Sequence, residues 1–311
     1  MVFRGLTCPI GVRAESVSDG VFFVRLRFRL RALLLIKIET FFYGEEMRPN
    51  KVKRALKAGQ PSVGTWLSLG SITAARFMAR TGFDWLTIDI EHSLVDWETA
   101  THMFATIADS GCVALARVPA NRHDHIKRVL DNGAQGVVVP MVNSRQEAED
   151  AVSAMLYPPY GTRSVGGSVH ALNFDTNAAD YFAHANEELL VVLQCEHIQS
   201  VENADAIFSV PGIDAIFVGP NDLAQSMRSK DNKPPTGQAT KEAMDHILKM
   251  CKKHNVAAGV HCYGAEEANT RIAEGWQFIA IGSELKMMLN GAAAEVQKLP
   301  MATKKVEMAK Y

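Results

Sequence analysis

The sequence lacks an excess of charge of either sign, with 33 Lys and Arg against 34 Asp and Glu for a formal net charge of −1. No basic stripe runs through the body of the chain, so nothing electrostatic points to nucleic acid, and a small molecule is the expected partner. Paired cysteines are lacking too. Cys8, Cys112, Cys195, Cys251 and Cys262 are odd in number and scattered, with no C-x-x-C pair. That argues against a disulfide framework and a cysteine-held zinc, and makes a reducing, cytoplasmic setting the expectation. No apolar run reaches the roughly 18 residues of a membrane span. The greasiest stretch, residues 21–36, is broken by Arg25, Arg27, Arg29 and Arg31, so no membrane partner is expected. Hydrophobic residues at 47% and charged residues at 22% are ordinary for a folded core, which excludes disordered and fibrous classes.

Residues 1–46 stand apart. They are Arg-rich with few acids before Glu39, as mitochondrial transit peptides are, yet the run from Val24 to Arg31 alternates apolar and basic residues with a strand period, not a helical one. Met47 opens a second plausible start. The expected organisation is an extension over 1–46 that is not part of the fold and a single domain over 47–311. Mitochondrial import is the alternative location if the extension is a transit peptide.

From Val63 onward, short apolar runs alternate with helical segments closed by glycine, the pattern of repeated βα units. Eight strands are predicted, over 62–68, 85–90, 113–118, 136–141, 189–193, 215–218, 257–260 and 278–281. Helices predicted over 73–80, 97–109, 124–130 and 265–273 run into Gly82, Gly111, Gly133 and Gly275, each suited to a left-handed helix end. Eight units close a (β/α)8 barrel more naturally than they extend an open sheet, and nearly continuous apolar strands fit a sheet buried on both faces.

Active sites of such barrels sit at the carboxyl ends of the strands. Five of those ends are polar here: Asp89-Ile90-Glu91-His92, Arg117, Gln194-Cys195-Glu196-His197, Gly219-Pro220-Asn221-Asp222 and His261-Cys262. Strand alternation puts Gln194 and Glu196 on one face, and Asp222 comes from the neighbouring strand. Two carboxylates on adjacent strand ends suit Mg²⁺ or Mn²⁺, which keep positions open for substrate and water; the competing reading has Glu196 paired with an arginine and Asp222 capping a helix. Asp89 and His92 together read as an oriented base, or as an ordinary structural histidine at a strand end. Arg117 reads as a stabiliser of a developing enolate, or as the salt-bridge partner of Asp89 or Glu91. The Pro- and Gly-rich run 157–167 is either a substrate loop or a rigid connection, on either side of the barrel.

These residues, taken with Gly64-Thr65-Trp66, Arg117-Val118-Pro119, Val139-Pro140-Met141-Val142-Asn143, Tyr157-Pro158-Pro159-x-Gly161-x-Arg163 and Gly219-Pro220-x-Asp222-Leu223, resemble the HpcH/HpaI aldolase and citrate lyase family in its 4-hydroxy-2-oxoheptanedioate aldolase branch. The motifs are short singly, but seven fall in consistent order. The resemblance implies a barrel of the phosphoenolpyruvate/pyruvate-binding type and a class II pyruvate aldolase of aromatic-compound catabolism. It implies that Glu196 and Asp222 hold a divalent cation, Mg²⁺ or Mn²⁺ with Co²⁺ or Zn²⁺ as further options. Arg117 then steadies the enolate, while Gln194, Trp66 and the backbone of Asn221 and Asp222 receive pyruvate. His92, oriented by Asp89, takes the 4-hydroxyl proton through a water, and the 4-hydroxy-2-oxo acid splits into pyruvate and an aldehyde. No lysine stands at a strand end, which disfavours a Schiff-base route. The resemblance further implies a homo-oligomer, a hexamer of exchanged C-terminal helices, with 285–299 against a neighbour. Ser164 stands where the family often has glycine and Asn221 where a small residue is common; both bear on aldehyde choice.

Three other functions compete. The same enolate can arise by decarboxylation of oxaloacetate, as in macrophomate synthase. A coenzyme A ester lyase calls for a basic nucleotide pocket, which the sequence does not display. A non-catalytic barrel that binds 2-keto acids has no need of Glu196, Asp222 and Arg117 together.

Overall fold

The computed structural model describes residues 47–300 apart from Ser168; the expectations for residues 1–46 lie outside the described residues. Eight strands, β1 (Ser62–Leu67), β2 (Trp85–Asp89), β3 (Val113–Arg117), β4 (Gly136–Val139), β5 (Leu190–Gln194), β6 (Ala215–Val218), β7 (Ala257–Cys262) and β8 (Phe278–Ser283), pair in parallel and in chain order. β8 closes on β1, which makes the sheet a barrel. Helices cover its outside, so the fold is the (β/α)8 barrel that the apolar runs predict.

Period-two alternation sorts each strand into an outer face, packed on helices, and an inner face. Trp66, Trp85, Leu115, Val192, Phe217 and Phe278 belong to the inner cluster, while Leu86, Ile88, Val137, Val191, Ile216 and Ile279 belong to the larger outer one. Trp85 stacks on Phe278 with centroids 4.2 Å apart, and the Trp66 ring stands edge-on to Phe217 at 5.5 Å. Gly64 makes room for this filling, since a Cβ there would meet the Trp85 ring at 2.1 Å. Helix Lys51–Lys57 closes the amino-terminal end with Val52 and Leu56, and buried Lys53 donates to the Leu189 carbonyl at 2.6 Å and pairs with Asp214 at 3.0 Å. These side chains fill the lower barrel, which leaves the carboxyl ends of the strands as the place for polar chemistry inside it.

Gly82, Gly111, Gly133 and Gly275 have φ between 76° and 105°, as the helix–glycine–strand pattern predicts. The run 157–167 follows helix Arg145–Met155 and is therefore on the amino-terminal side. Buried Arg163 pairs there with Asp131, at the end of helix His123–Asp131, at 2.7 Å, and lies over the Tyr157 ring at 4.5 Å. Of the two readings of this run the rigid connection holds within the chain. Helices Val169–Leu172 and Ala178–Glu188 then lead into β5. The last helix, Glu284–Val296, buries only Glu284, whose Oε1 accepts from the amides of Ser68 and Leu69 at 2.5 and 2.7 Å. Met288, Leu289 and Val296 on that helix are exposed.

Candidate active site

One step above the apolar filling, the same alternation turns Asp89, Arg117 and Gln194 into the mouth of the barrel, because their strand neighbours two residues earlier are inner-face residues or, at Thr87, buried. The strands thus end on polar side chains for a geometric reason. Arg117 donates from Nε to Asp89 Oδ1 at 2.9 Å and from Nη2 to Oδ2 at 2.7 Å, a two-point pair. Its Nε is also 3.3 Å from Glu91 Oε2, and its guanidinium lies over the Trp66 ring at 4.5 Å. Trp66 is therefore the floor beneath the arginine.

Asp89 Oδ1 also accepts from the backbone amides of Glu91 and His92 at 3.1 and 3.2 Å, which fixes the turn after β2. The His92 ring is not on Asp89. Its Nε2 is 3.6 Å from Glu91 Oε2, and the side chain is 64% exposed at the mouth. Glu91, singled out by sequence only as a possible partner for Arg117, is thus the carboxylate beside the imidazole. Burial pushes its pKa up to about 7, with the Arg117 charge opposing and Asp89 and Asp222 adding to the rise.

Across the mouth, buried Glu196 accepts at Oε1 from the Met141 amide at 2.9 Å and at Oε2 from Gln194 Nε2 at 2.6 Å. Met141 holds φ at 53°, a left-handed conformation that side chains resist. It follows Pro140 at the end of β4, and its strained amide is aimed at the carboxylate. Burial raises the Glu196 pKa to about 7; the Met141 amide lowers it, while Asp222 and Glu91 raise it further. Asp222 lies in the first turn of helix Pro220–Ser226, exposed and without a hydrogen-bond or ion-pair partner among the described residues. Among the described residues neither competing reading holds: Glu196 is in no ion pair with arginine, and Asp222 does not cap the helix.

Gly219 shows where the carboxylates converge. A Cβ built on it would be 3.0 Å from Glu196 Oε2 and 3.4 Å from Asp222 Oδ2. Nearby, Gln194 Oε1 is buried without a hydrogen-bond partner among the described residues. Among the described residues no three His, Cys, Asp or Glu side chains group as a metal cage. The donor set is instead two carboxylates and a neutral oxygen, few ligands and all of them oxygen, which suits a hard divalent cation that retains positions for substrate and water. A recess of about 540 Å³ opens at the opposite face, lined by Lys57, Leu248 and Lys252 among others. None of the strand-end polar residues lines it.

Sequence reasoning gave no role to two residues near this centre, Tyr263 and His261, the latter noted only as part of a polar strand end. His261, on the inner face of β7, is largely buried and has its pKa pushed down to about 4 by burial and then by the Arg117 charge. Tyr263 donates its hydroxyl to Asn221 Oδ1 at 2.7 Å. The polar end of β7 was the available signal.

The profile of the HpcH/HpaI aldolase/citrate lyase family matches residues 62–291. The chain is 36% identical over 237 residues to a 5-keto-4-deoxy-D-glucarate aldolase of Shigella dysenteriae, covering 76% of this chain and 91% of that one. A HpcH/HpaI aldolase/citrate lyase family protein from Burkholderia cenocepacia superposes with a TM-score of 0.74 at 31% identity, over 80% of this chain and 98% of the other. Macrophomate synthase shares the fold, with a TM-score of 0.70 at 22% identity over 82% of this chain and 92% of that one.

Proposed function

The chain belongs to the HpcH/HpaI aldolase/citrate lyase family and is a carbon–carbon lyase; from that premise we propose a class II, metal-dependent aldolase that cleaves or forms the bond between pyruvate enolate and an aldehyde, with 4-hydroxy-2-oxo acids as substrates. The observation that carries this reading is the convergence of Glu196 and Asp222 around Gly219, facing the Arg117 guanidinium across the mouth. Glu196 and Asp222 hold Mg²⁺ or Mn²⁺, with Gln194 Oε1 close by. When bound, the cation withdraws electrons from the 2-oxo group and lowers the cost of an enolate.

The side chains do the rest. Arg117 commits Nε and Nη2 to Asp89, which leaves Nη1 and the second Nη2 proton for a substrate oxygen on which negative charge develops. Asp89 is the positioning residue for both partners: it holds the guanidinium by its side chain and the His92 turn through the amides. His92, with Glu91 beside its ring, takes the 4-hydroxyl proton through a water. The C3–C4 pair then passes to C3 of the enolate, C4 leaves as the aldehyde, and a proton returned to C3 gives pyruvate. Amides at the start of helix Pro220–Ser226 face the pyruvate carboxylate, as the first turn of a helix leaves them free. The exposed apolar side of helix Glu284–Val296 supports assembly into a homo-oligomer, a hexamer by family resemblance.

Pyruvate release tests the reading. Cleavage of 4-hydroxy-2-oxo acids, abolished by chelation, restored by Mn²⁺ or Mg²⁺ and lost in Glu196→Ala, is the expected outcome. Faster release from oxaloacetate than from any aldol would move the chain to the decarboxylase reading.

A further inference from the structure

The alternation that puts Ala257 against the barrel interior puts His261 there too, two levels higher on β7. The β6–β7 register pairs Val218 with Val260. Continued one residue past the end of β6, that register would bring His261 beside Gly219, the residue around which Glu196 and Asp222 converge. Just past the strand, Tyr263 stands edge-on to the His261 ring with centroids 6.2 Å apart, and its hydroxyl reaches across to Asn221. That bond links the end of β7 to the turn after β6. Three polar side chains therefore form one wall next to the carboxylates.

This wall has hydrogen-bonding capacity to spare. Neither His261 ring nitrogen has a partner among the described residues, nor does the Asn221 amide nitrogen. Kept neutral by burial and by Arg117, the imidazole offers one N–H and one acceptor nitrogen. The enolate chemistry described above leaves all three side chains unused. No cation belongs to the wall, so it matches a neutral polar group and not a second carboxylate. An alkyl group placed there would strip water from these donors and acceptors without replacing it, which is costly.

We propose that His261, Tyr263 and Asn221 select the aldehyde half of the substrate by hydrogen bonding to its hydroxyl, so that hydroxylated aldehydes are favoured over alkyl aldehydes of the same size. The inference rests on the pyruvate-enolate reading and deepens it.

The test compares glycolaldehyde with propionaldehyde as acceptors for pyruvate, since the two have nearly the same shape and differ by a hydroxyl against a methyl. The unsubstituted enzyme is expected to favour glycolaldehyde by about tenfold or more in kcat/KM, the worth of one well-made hydrogen bond. Tyr263→Phe and His261→Leu should each bring that ratio towards one, carried by a rise in KM for glycolaldehyde, while His261→Gln keeps part of it. Tyr263 is exposed, so its variant folds even if a change at His261 disturbs the barrel. Equal use of both aldehydes by the unsubstituted enzyme, or a preference unmoved in Tyr263→Phe and His261→Gln alike, overturns the proposal while leaving the enolate reading standing. Exchange of pyruvate methyl protons by the unsubstituted enzyme reports that reading separately; if exchange is absent with every metal, both fall together.

Discussion

At the scale of single residues the account turns on carboxyls that the fold makes poor anions. Glu91 and Glu196 have pKa values near 7 in the folded chain against an ordinary 4.5, with burial the main cause for each. Between those values the folded chain holds protons that the unfolded chain releases. The stability they contribute is complete below the unfolded value and is lost as pH rises through 7. The metal-free protein is therefore expected to melt lower at about pH 8.5 than at about pH 5.5, with a smaller difference in Glu196→Gln. Saturating Mn²⁺ should recover much of the loss at the higher pH, since the cation replaces the proton. A metal-free melting temperature that climbs with pH contradicts this. Arg117 gives a second prediction. Arg117→Lys keeps the charge but not the two-point geometry, and should cut kcat/KM about a hundredfold; Arg117→Ala, which strands Asp89 in a buried place, should also destabilise by about 3 kcal/mol in denaturant unfolding.

At the scale of elements, the turn after β6 is the tightest part of the site. Gly219→Ala would push a methyl to 3.0 Å from Glu196 Oε2 and towards Asp222. The expected outcome is a metal requirement raised about tenfold or more with little change in melting temperature, read by titrating Mn²⁺ against activity. The strands themselves were legible because their bodies are apolar on both faces, and all eight were found within a few residues. Their ends were less so, for a physical reason. β5 runs on to Gln194 and β7 to Cys262 because mouth-facing residues are polar while still strand, so hydropathy stops short of them. β4 stops at Val139, short of 141, because Pro140 has no N–H and Met141 is left-handed. Pairing was legible only in part. Sequence offered Asp89 or Glu91 as the partner of Arg117, and the guanidinium pairs with both, but it set His92 on Asp89, whereas the His92 ring lies by Glu91.

At the scale of the whole molecule, helix Glu284–Val296 leaves Met288, Leu289 and Val296 exposed, and the proposed oligomer would cover them. Light scattering should give six chains per particle, and Met288→Glu should shift the mass downwards; a monomer in the unsubstituted protein contradicts the oligomer. A chain that starts at Met47 should retain cleavage activity, since Met47 is buried against the barrel domain and its amide donates to Asp180 Oδ2 at 2.9 Å. All these effects serve one claim, that the barrel mouth makes and protects a pyruvate enolate. Proton–deuterium exchange of the pyruvate methyl group, followed by NMR, tests it most directly. The account predicts exchange with Mn²⁺ or Mg²⁺, none with chelator, and none in Glu196→Ala; no exchange with any metal, or exchange that survives in Glu196→Ala, would contradict it.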